Sequence, residues 1–210
     1  MSDNLGRNKV QPIRSKQDIK DALLYLKREI ANVDPIKHPK QYEIKTRNYF
    51  LVFLGINIGL RISDLLTITA GQIKRGYIQL REKKTRKLQQ IYANEAVLKK
   101  IRTEFIEKFQ MDDDTYLFKS RNGYNKAITR QNSDLIVKDI ADALGWNFPV
   151  GTHSLRKTFG RQFYEETNDA VTLQKMFNHR DQRTTMIYIG IIQEEVNEAR
   201  QGFSLGIDDD

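Results

Sequence analysis

Six side chains of this 210-residue sequence are of types that bind anions, move protons or act as nucleophiles. The stretch THSLRKTF places a histidine and an arginine three residues apart, and FNHRDQRTTMIYIG places a histidine nine residues before a tyrosine. With an arginine from GLRISDLL and a lysine from EKKTRK, the set is Arg61, Lys84, His153, Arg156, His179 and Tyr188. Asp64 follows Arg61 by three residues, so we expect one helical face to present both.

These residue types together suit phosphoryl transfer without a metal. Two guanidinium groups match the non-bridging oxygens of a phosphodiester and would stabilise the extra charge of its transition state. A tyrosine hydroxyl can attack phosphorus, while lysine and histidine can move the required protons. The sequence has no carboxylate pair for glycoside hydrolysis, no metal-ligand cluster, no glycine-rich phosphate loop and no serine or cysteine nucleophile motif. We therefore expect no metal and no cofactor.

Positive charge is segregated along the chain. The 35 Lys and Arg outnumber the 27 Asp and Glu, which gives a net charge of +8 and a pI near 9.5. Residues 74–102 alone hold ten Lys or Arg and two Glu. A face that binds double-stranded DNA needs such segregation, although a solvated basic surface would also account for the charge.

The rest of the composition narrows the class of protein. With 39% hydrophobic and 30% charged residues, the chain fits a folded globular domain. No apolar run approaches the roughly 20 residues of a membrane span, and the N-terminus lacks the apolar region of a secretory signal. There is no cysteine, which excludes disulfides and thiolate metal sites. We expect a cytoplasmic, nucleoid-associated protein with no membrane partner.

Hydrophobic periodicity predicts a mainly α fold with a small antiparallel β-sheet, of the α+β class. Alternation in YIQLRE and LQQIYA, on either side of the basic tip KKTRK, predicts a β-hairpin, and YLF is a candidate strand. We expect a flexible basic arm over residues 1–14, one domain over 15–203 and an acidic tail over 204–210. The predicted helices cover residues 15–30, about 42–57, a third beginning in ISDLLTI, 94–109, 128–145, 154–166, 170–178 and 193–203.

In this order, the motifs resemble those of the tyrosine recombinase, or phage integrase, family from about Ser15 to Arg200. GLRISDLLTI is similar to the family's Arg-x-x-Glu/Asp box, REKKTRKLQQIYA to its Lys-Thr hairpin, and HSLRKTF to its His-x-Leu-Arg box. KMFNHRDQRTTMIYIG resembles the usual Leu-Gly-His followed by Thr-Tyr. Asn178 replaces the glycine, and asparagine is the next-best residue for a left-handed helix cap. Lys157 stands where a second histidine often follows, which we expect to matter little.

The resemblance implies a catalytic-domain fold, a role for each of the six side chains and a metal-free, ATP-free mechanism. The two arginines would clamp the scissile phosphate, and the lysine and histidines would carry protons. Tyr188 would attack phosphorus, form a 3′-phosphotyrosyl link and free a 5′-hydroxyl that rejoins a partner strand. Asp64 would hold its neighbours in place. Lys83 is the second candidate for the catalytic lysine, and Lys84 could instead be a generic phosphate contact.

The resemblance also suggests DNA contacts and an assembly. Arginine and glutamine in the first turn of helix 128–145 could read base edges, although a plain surface helix is an open alternative. The candidate DNA-binding residues are Lys83, Arg86, Lys87, Arg130 and Gln131. Family members pass a C-terminal segment into a neighbouring subunit, which implies a tetramer on DNA that exchanges helix 193–203, unless this helix packs within its own chain. The family's N-terminal core-binding domain is not expected in this chain.

Three other functions remain compatible with the residues. A type IB topoisomerase uses a similar set but religates the same strand. A non-catalytic DNA-binding module would keep the fold without turnover. A protein-interaction domain with an incidental basic face would show no salt-dependent DNA affinity.

Overall fold

The computed structural model describes residues 10–81 and 88–203, apart from the side chain of Gln193. Within them the fold is mainly helical with a two-stranded antiparallel sheet, as predicted. The chain divides into two compact units, an N-terminal unit (Met1–Phe159) and a C-terminal unit (Gly160–Asp210). The helices of the described residues are α1 (Lys16–Ala31), α2 (Pro39–Ile58), α3 (Ile62–Leu65), α4 (Ala70–Arg75), α5 (Glu95–Ile101), α6 (Arg130–Leu144), α7 (Thr152–Thr167), α8 (Ala170–Phe177), α9 (Gln182–Ile189) and α10 (Ile191–Gln201).

Helix α2 is the centre of the N-terminal unit because its second half is apolar on every face. A helix of that kind is stable only when other elements surround it. Helices α1, α5 and α6 pack against it, and the ring of Phe50 stacks on that of Phe105 at 5.0 Å between centroids. The α2 side chains that are at most 3% exposed are Tyr49, Phe50, Leu51, Val52 and Leu54.

The two ends of α2 follow from single residues. The helix begins at Pro39, three residues before the predicted start at Tyr42. Proline is favourable at the first helical position, since the N–H that it lacks would have no partner there. The helix ends at Gly59, whose left-handed backbone (φ 65°) turns the chain toward α3.

The predicted hairpin is present as β1 (Ile78–Arg81) and β2 (Leu88–Ile91). The strands pair in antiparallel register, with Ile78 opposite Ile91. The basic tip, residues 82–87, lies outside the described residues. The strand suggested for YLF was wrong, because Tyr116 makes only an isolated bridge to Thr69.

Local sequence signals missed the shortest elements. Helices α4 and α9 were not predicted, and α3 is a single turn. The eight residues of α9 are too few for a clear period, but its ends are well defined. Asp181 Oδ1 accepts the N–H of Thr184 at 2.7 Å, and Gly190 ends the helix with φ 86°. The predicted helix 94–109 is α5 followed by a π-helical turn, Arg102–Glu107.

The segment before α1 lies against the start of α7. The backbone N–H of Ile13, a residue only 2% exposed, donates to Thr158 Oγ1 at 2.8 Å. The N–H of Gln11 donates to the carbonyl of Pro149 at 2.8 Å. The expectation of a flexible arm therefore does not describe residues 10–14, because these bonds hold their backbone; residues 1–9 lie outside the described part of the chain.

The C-terminal unit is built around the last turns of α7. A Cβ on Gly160 would lie 2.7 Å from the Phe177 ring and 2.8 Å from Ile189, so only glycine allows this approach. Asn178 caps α8 in the left-handed conformation (φ 50°, ψ 46°), which confirms the prediction for the residue before His179. Helix α10 packs on α9.

Gly59→Ala should lower the free energy of unfolding by about 2–5 kcal/mol, measured by urea denaturation. The new Cβ meets the Phe159 ring at 2.2 Å in a backbone conformation that disfavours alanine. Gly76→Ala is the matched control, since Gly76 has φ 85° and no neighbour within 4 Å of its Cβ position. It should cost only the backbone strain, about 1–2 kcal/mol. Equal losses in the two variants would show that the Phe159 contact has no effect.

Candidate functional site

The turn between α2 and α3 places Arg61 and Asp64 differently from the prediction. Arg61 precedes α3 with an extended backbone (φ −64°, ψ 145°), and its side chain is exposed. Asp64 lies inside the single turn of α3, where Ser63 Oγ donates to its Oδ1 at 3.3 Å. No ion pair joins these two described residues. The shared helical face was wrong because Arg61 lies outside the helix, so its side chain is directed toward solvent.

Arg156 is buried beside this same turn. The residue is only 4% exposed, and its Nη1 donates to the carbonyl oxygen of Gly59 at 2.6 Å. Gly59 is two residues from Arg61 along the chain. The hydrogen bond therefore brings the second predicted clamp arginine to the segment that carries the first.

His153 lies in the first turn of α7, one turn before Arg156, and is half-buried. Burial lowers the pKa of its imidazole below the ordinary value, and nearby positive charges lower it further. In order of their effect, these charges belong to Arg130, Arg156, Lys157 and Arg61. Four cations thus act on one imidazole, and such a region attracts an anion with several oxygens.

The carboxylate of Asp134 positions the start of α7. Asp134 accepts the backbone N–H of Thr152 at 3.0 Å and pairs with Lys138 at 2.9 Å. Burial acts to raise the pKa of Asp134, but these hydrogen bonds outweigh it and the pKa is lowered, so the carboxylate stays charged. A Cβ on Gly151 would approach Asp134 Oδ1 to 2.5 Å, so glycine lets the carboxylate reach the helix.

Sequence reasoning underestimated Lys157. Its Nζ donates to the carbonyl of Val10 at 2.8 Å, which ties the segment before α1 to α7. Its charge also lowers the pKa of His153. The signal available in the sequence was the position of Lys157 directly after Arg156, at the end of the His-x-Leu-Arg box.

The C-terminal unit brings His179 and Tyr188 together. Their ring centroids are 5.1 Å apart with the planes at 74°, and the buried Phe177 ring packs edge-on against both, at 5.3 and 5.6 Å. Gln174 Nε2 donates to the carbonyl of His179 at 3.2 Å. The interval of nine residues therefore places a phenol beside an imidazole, because α9 turns the chain back toward the end of α8.

The remaining candidates lie on exposed positions or outside the described residues. Arg130 and Gln131 are exposed in the first turn of α6. In residues 10–81 and 88–203, no group of three His, Asp or Glu side chains is arranged to hold a metal, and no helix is long and apolar enough to cross a membrane. The candidates outside the described residues are Lys83, Lys84, Arg86 and Lys87.

Comparison with known families identifies the family of this chain. The model of the phage integrase family matches residues 30–195. The chain belongs to the phage integrase family. It is an enzyme of the tyrosine recombinase/integrase class, whose activity is site-specific recombination.

Individual phage integrase relatives agree with this assignment. The chain is 35% identical over 184 residues to the probable integrase/recombinase YoeC of Bacillus subtilis (strain 168), covering 86% of this chain and 98% of that protein. It is 30% identical over 159 residues to the tyrosine recombinase XerC of Caldanaerobacter subterraneus subsp. tengcongensis, covering 74% of this chain and 44% of that one. The chain thus spans about half the length of the Xer recombinases that it matches.

Solved structures of phage integrase relatives show the same fold. XerA recombinase superposes with a TM-score of 0.63 at 19% identity, covering 95% of this chain and 67% of that chain. The catalytic domain of bacteriophage HP1 integrase gives a TM-score of 0.53 at 16% identity, covering 95% and 98%.

Arg130→Met should raise the pKa of His153 toward its ordinary value. A positive neighbour disfavours the imidazolium, so its removal makes protonation easier. The measurement is an NMR pH titration of the His153 ring, one of only three histidines in the chain. Arg75→Met is the control, because Arg75 is not among the cations that lower this pKa. An unchanged or lower midpoint in Arg130→Met would contradict the cationic environment described above.

Proposed function

We propose that this chain breaks and rejoins double-stranded DNA at a specific site through a 3′-phosphotyrosine intermediate, without metal or ATP. One observation carries the proposal: Arg156, three residues after a histidine whose pKa four cations lower, donates a hydrogen bond to Gly59, two residues before Arg61. Such a site would bind a phosphodiester, and the phosphodiester is also the group on which DNA recombination acts. Membership of the phage integrase family supports it.

Arg61 and Arg156 form the phosphate clamp. The carbonyl of Gly59 fixes the buried guanidinium of Arg156, so that little reorganisation is needed when charge develops on the phosphate. Arg61 is exposed and can close on the phosphate from solvent. Asp64 is a positioning residue in the turn between them. His153 keeps a neutral imidazole at neutral pH, since its pKa is lowered, and can exchange a proton with the phosphate oxygens or a reacting hydroxyl.

Tyr188 is the nucleophile. Its hydroxyl oxygen forms a bond to phosphorus as the bond from phosphorus to the 5′-oxygen breaks, and its proton passes to a nearby base. Lys84 donates the proton that the leaving 5′-oxygen needs, with Lys83 as the second candidate. His179, 5.1 Å from the Tyr188 ring, supports the phosphate during the transfer. The 5′-hydroxyl of a partner strand then attacks the phosphotyrosine and restores the tyrosine.

DNA binding uses the basic hairpin and the start of α6. Lys83, Arg86 and Lys87 contact phosphates. The attraction between these cations and the DNA backbone does not depend on the base sequence. Arg130 and Gln131, exposed at the start of α6, read base edges. Relatives with solved DNA complexes include XerH bound to its difH substrate and a lambda integrase dimer bound to a core site.

Recombination requires several copies on DNA, and we propose a tetramer that exchanges α10. In the C-terminal unit, Glu194 in the first turn of α10 pairs with the buried Arg161 at 2.5 Å. Exchange would break this pair and remake it with a neighbouring copy. Residues 15–203 act as the catalytic domain, and the protein acts in the cytoplasm on the nucleoid.

Tyr188→Phe should abolish a covalent protein–DNA adduct. The substrate is a duplex selected from random sequences by binding to this chain, carrying a nick that lets the freed 5′-hydroxyl strand diffuse away. The wild-type adduct should resist SDS and form equally with EDTA. Tyr92→Phe is the control, because Tyr92 is an exposed tyrosine at the end of the hairpin.

Each alternative outcome has a distinct meaning. Loss of the adduct in EDTA would contradict the metal-free mechanism. Tight binding with no adduct at any nick position would favour a non-catalytic DNA-binding module. Relaxation of a supercoiled plasmid that lacks the selected site would favour a type IB topoisomerase.

Arg61→Ala should lower the adduct rate by about 100-fold or more without loss of stability. The side chain is exposed, so its removal leaves the fold intact while the transition state loses charge stabilisation. Arg183→Ala, another exposed arginine, is the control for the loss of one positive charge. The rates are single-turnover rates at saturating DNA. A near-normal rate in Arg61→Ala would remove this residue from the clamp.

A further inference from the structure

A hydroxyl group within the C-terminal unit is bonded to the ring of His179. Thr185 is fully buried (0% exposed), and its Oγ1 lies 3.1 Å from His179 Nδ1. The same oxygen lies 3.4 Å from the backbone carbonyl of Asp181, one helical turn earlier. Neither the clamp nor the nucleophile described above includes this residue.

The two contacts of the hydroxyl favour one form of the imidazole. Threonine inside a helix commonly donates its single proton to the carbonyl four residues earlier, which here belongs to Asp181. The oxygen can then only accept from Nδ1, so Nδ1 must carry a proton. In the neutral ring the other nitrogen, Nε2, is left without one. Because Nδ1 points at Thr185, Nε2 points to the opposite side of the ring.

The bond also joins His179 to the helix that carries the nucleophile. Thr185 and Tyr188 are three residues apart on α9, one turn of the same face. The first turn of α9 is fixed in turn by Asp181, which caps it through the N–H of Thr184. At the end of α8, Gln174 holds the carbonyl of His179. The residue is therefore held from two helices, by its backbone from α8 and by its ring from α9.

We propose that Thr185 is a positioning residue that holds His179 in its Nδ1–H form, so that Nε2 can take up a proton and then donate a hydrogen bond to the reacting phosphate. This inference rests on the proposed function for its consequence in catalysis, but the tautomer can be observed without DNA. Without the hydroxyl, the ring loses the partner that selects Nδ1–H, so it can take the other tautomer or rotate.

The experiment compares three variants of the full chain by ¹⁵N NMR of the histidine rings and by adduct formation. Thr185→Val removes the hydroxyl and keeps the shape, whereas Thr185→Ser keeps the hydroxyl. Thr46→Val is the matched control: Thr46 is 4% exposed and donates to the carbonyl of Tyr42 at 2.8 Å, again four residues earlier. His179→Gln assigns the His179 signals among the three histidines.

Wild type and Thr185→Ser should show a protonated Nδ1 and an unprotonated Nε2 on neutral His179. Thr185→Val should show a mixture or the reverse, and a single-turnover adduct rate lower by roughly 10- to 100-fold with unchanged DNA affinity. Thr46→Val should change neither the tautomer nor the rate. Circular dichroism establishes that each variant is folded, and Thr185→Ala removes the hydroxyl in a second way if the valine variant is not folded.

Three results would overturn the proposal. An unchanged Nδ1–H signal in folded Thr185→Val would show that the hydroxyl does not select the tautomer. Loss of that signal in Thr185→Ser would show the same. A changed tautomer with a normal adduct rate would show that it does not matter for the reaction. If the wild type forms no adduct on any bound site, the proposed function fails, while the NMR comparison still decides whether Thr185 sets the form of His179.

Discussion

The hydrogen bond from the buried guanidinium of Arg156 to the carbonyl of Gly59 is the contact on which the rest of the site depends. It joins residues 97 apart in sequence and gives a buried cation an oxygen partner. The left-handed backbone of Gly59 presents that carbonyl to Arg156. Only glycine fits there, because a Cβ would strike the Phe159 ring. Arg61 follows in the same turn, so Gly59 connects Arg156 to the segment that carries Arg61.

Electrostatics then explains why this region suits a phosphate. Cations from α6, α7 and the α2–α3 turn all act on His153, and burial adds to their effect on its pKa. Like charges gathered at one place destabilise a fold unless an anion offsets them, so the arrangement costs stability when empty and favours a polyanion. Asp134, bonded to Thr152 and Lys138, keeps the helix that carries His153 and Arg156 in place against that repulsion.

The C-terminal unit holds a phenol beside an imidazole. Aromatic packing does most of this, since the Phe177 ring contacts both rings and Gly160 leaves room for Phe177 to approach α7. The left-handed Asn178 then turns the chain so that His179 follows directly. Short helices with strong caps replace the long periodic helices of the N-terminal unit, and for that reason periodicity failed to reveal α9.

The sequence by itself determined the residue types, their order, the long helices and the hairpin, because periodicity, caps and the motif intervals are local properties. It also indicated a left-handed Asn178, since few residues other than glycine tolerate that backbone. It misplaced Arg61 on a helix, since an interval of three does not reveal where a helix begins. Only the tertiary structure decided that Arg156 bonds Gly59, that Lys157 holds Val10 and that Thr185 meets His179. Contacts between separate elements depend on how those elements pack, and no local pattern records them.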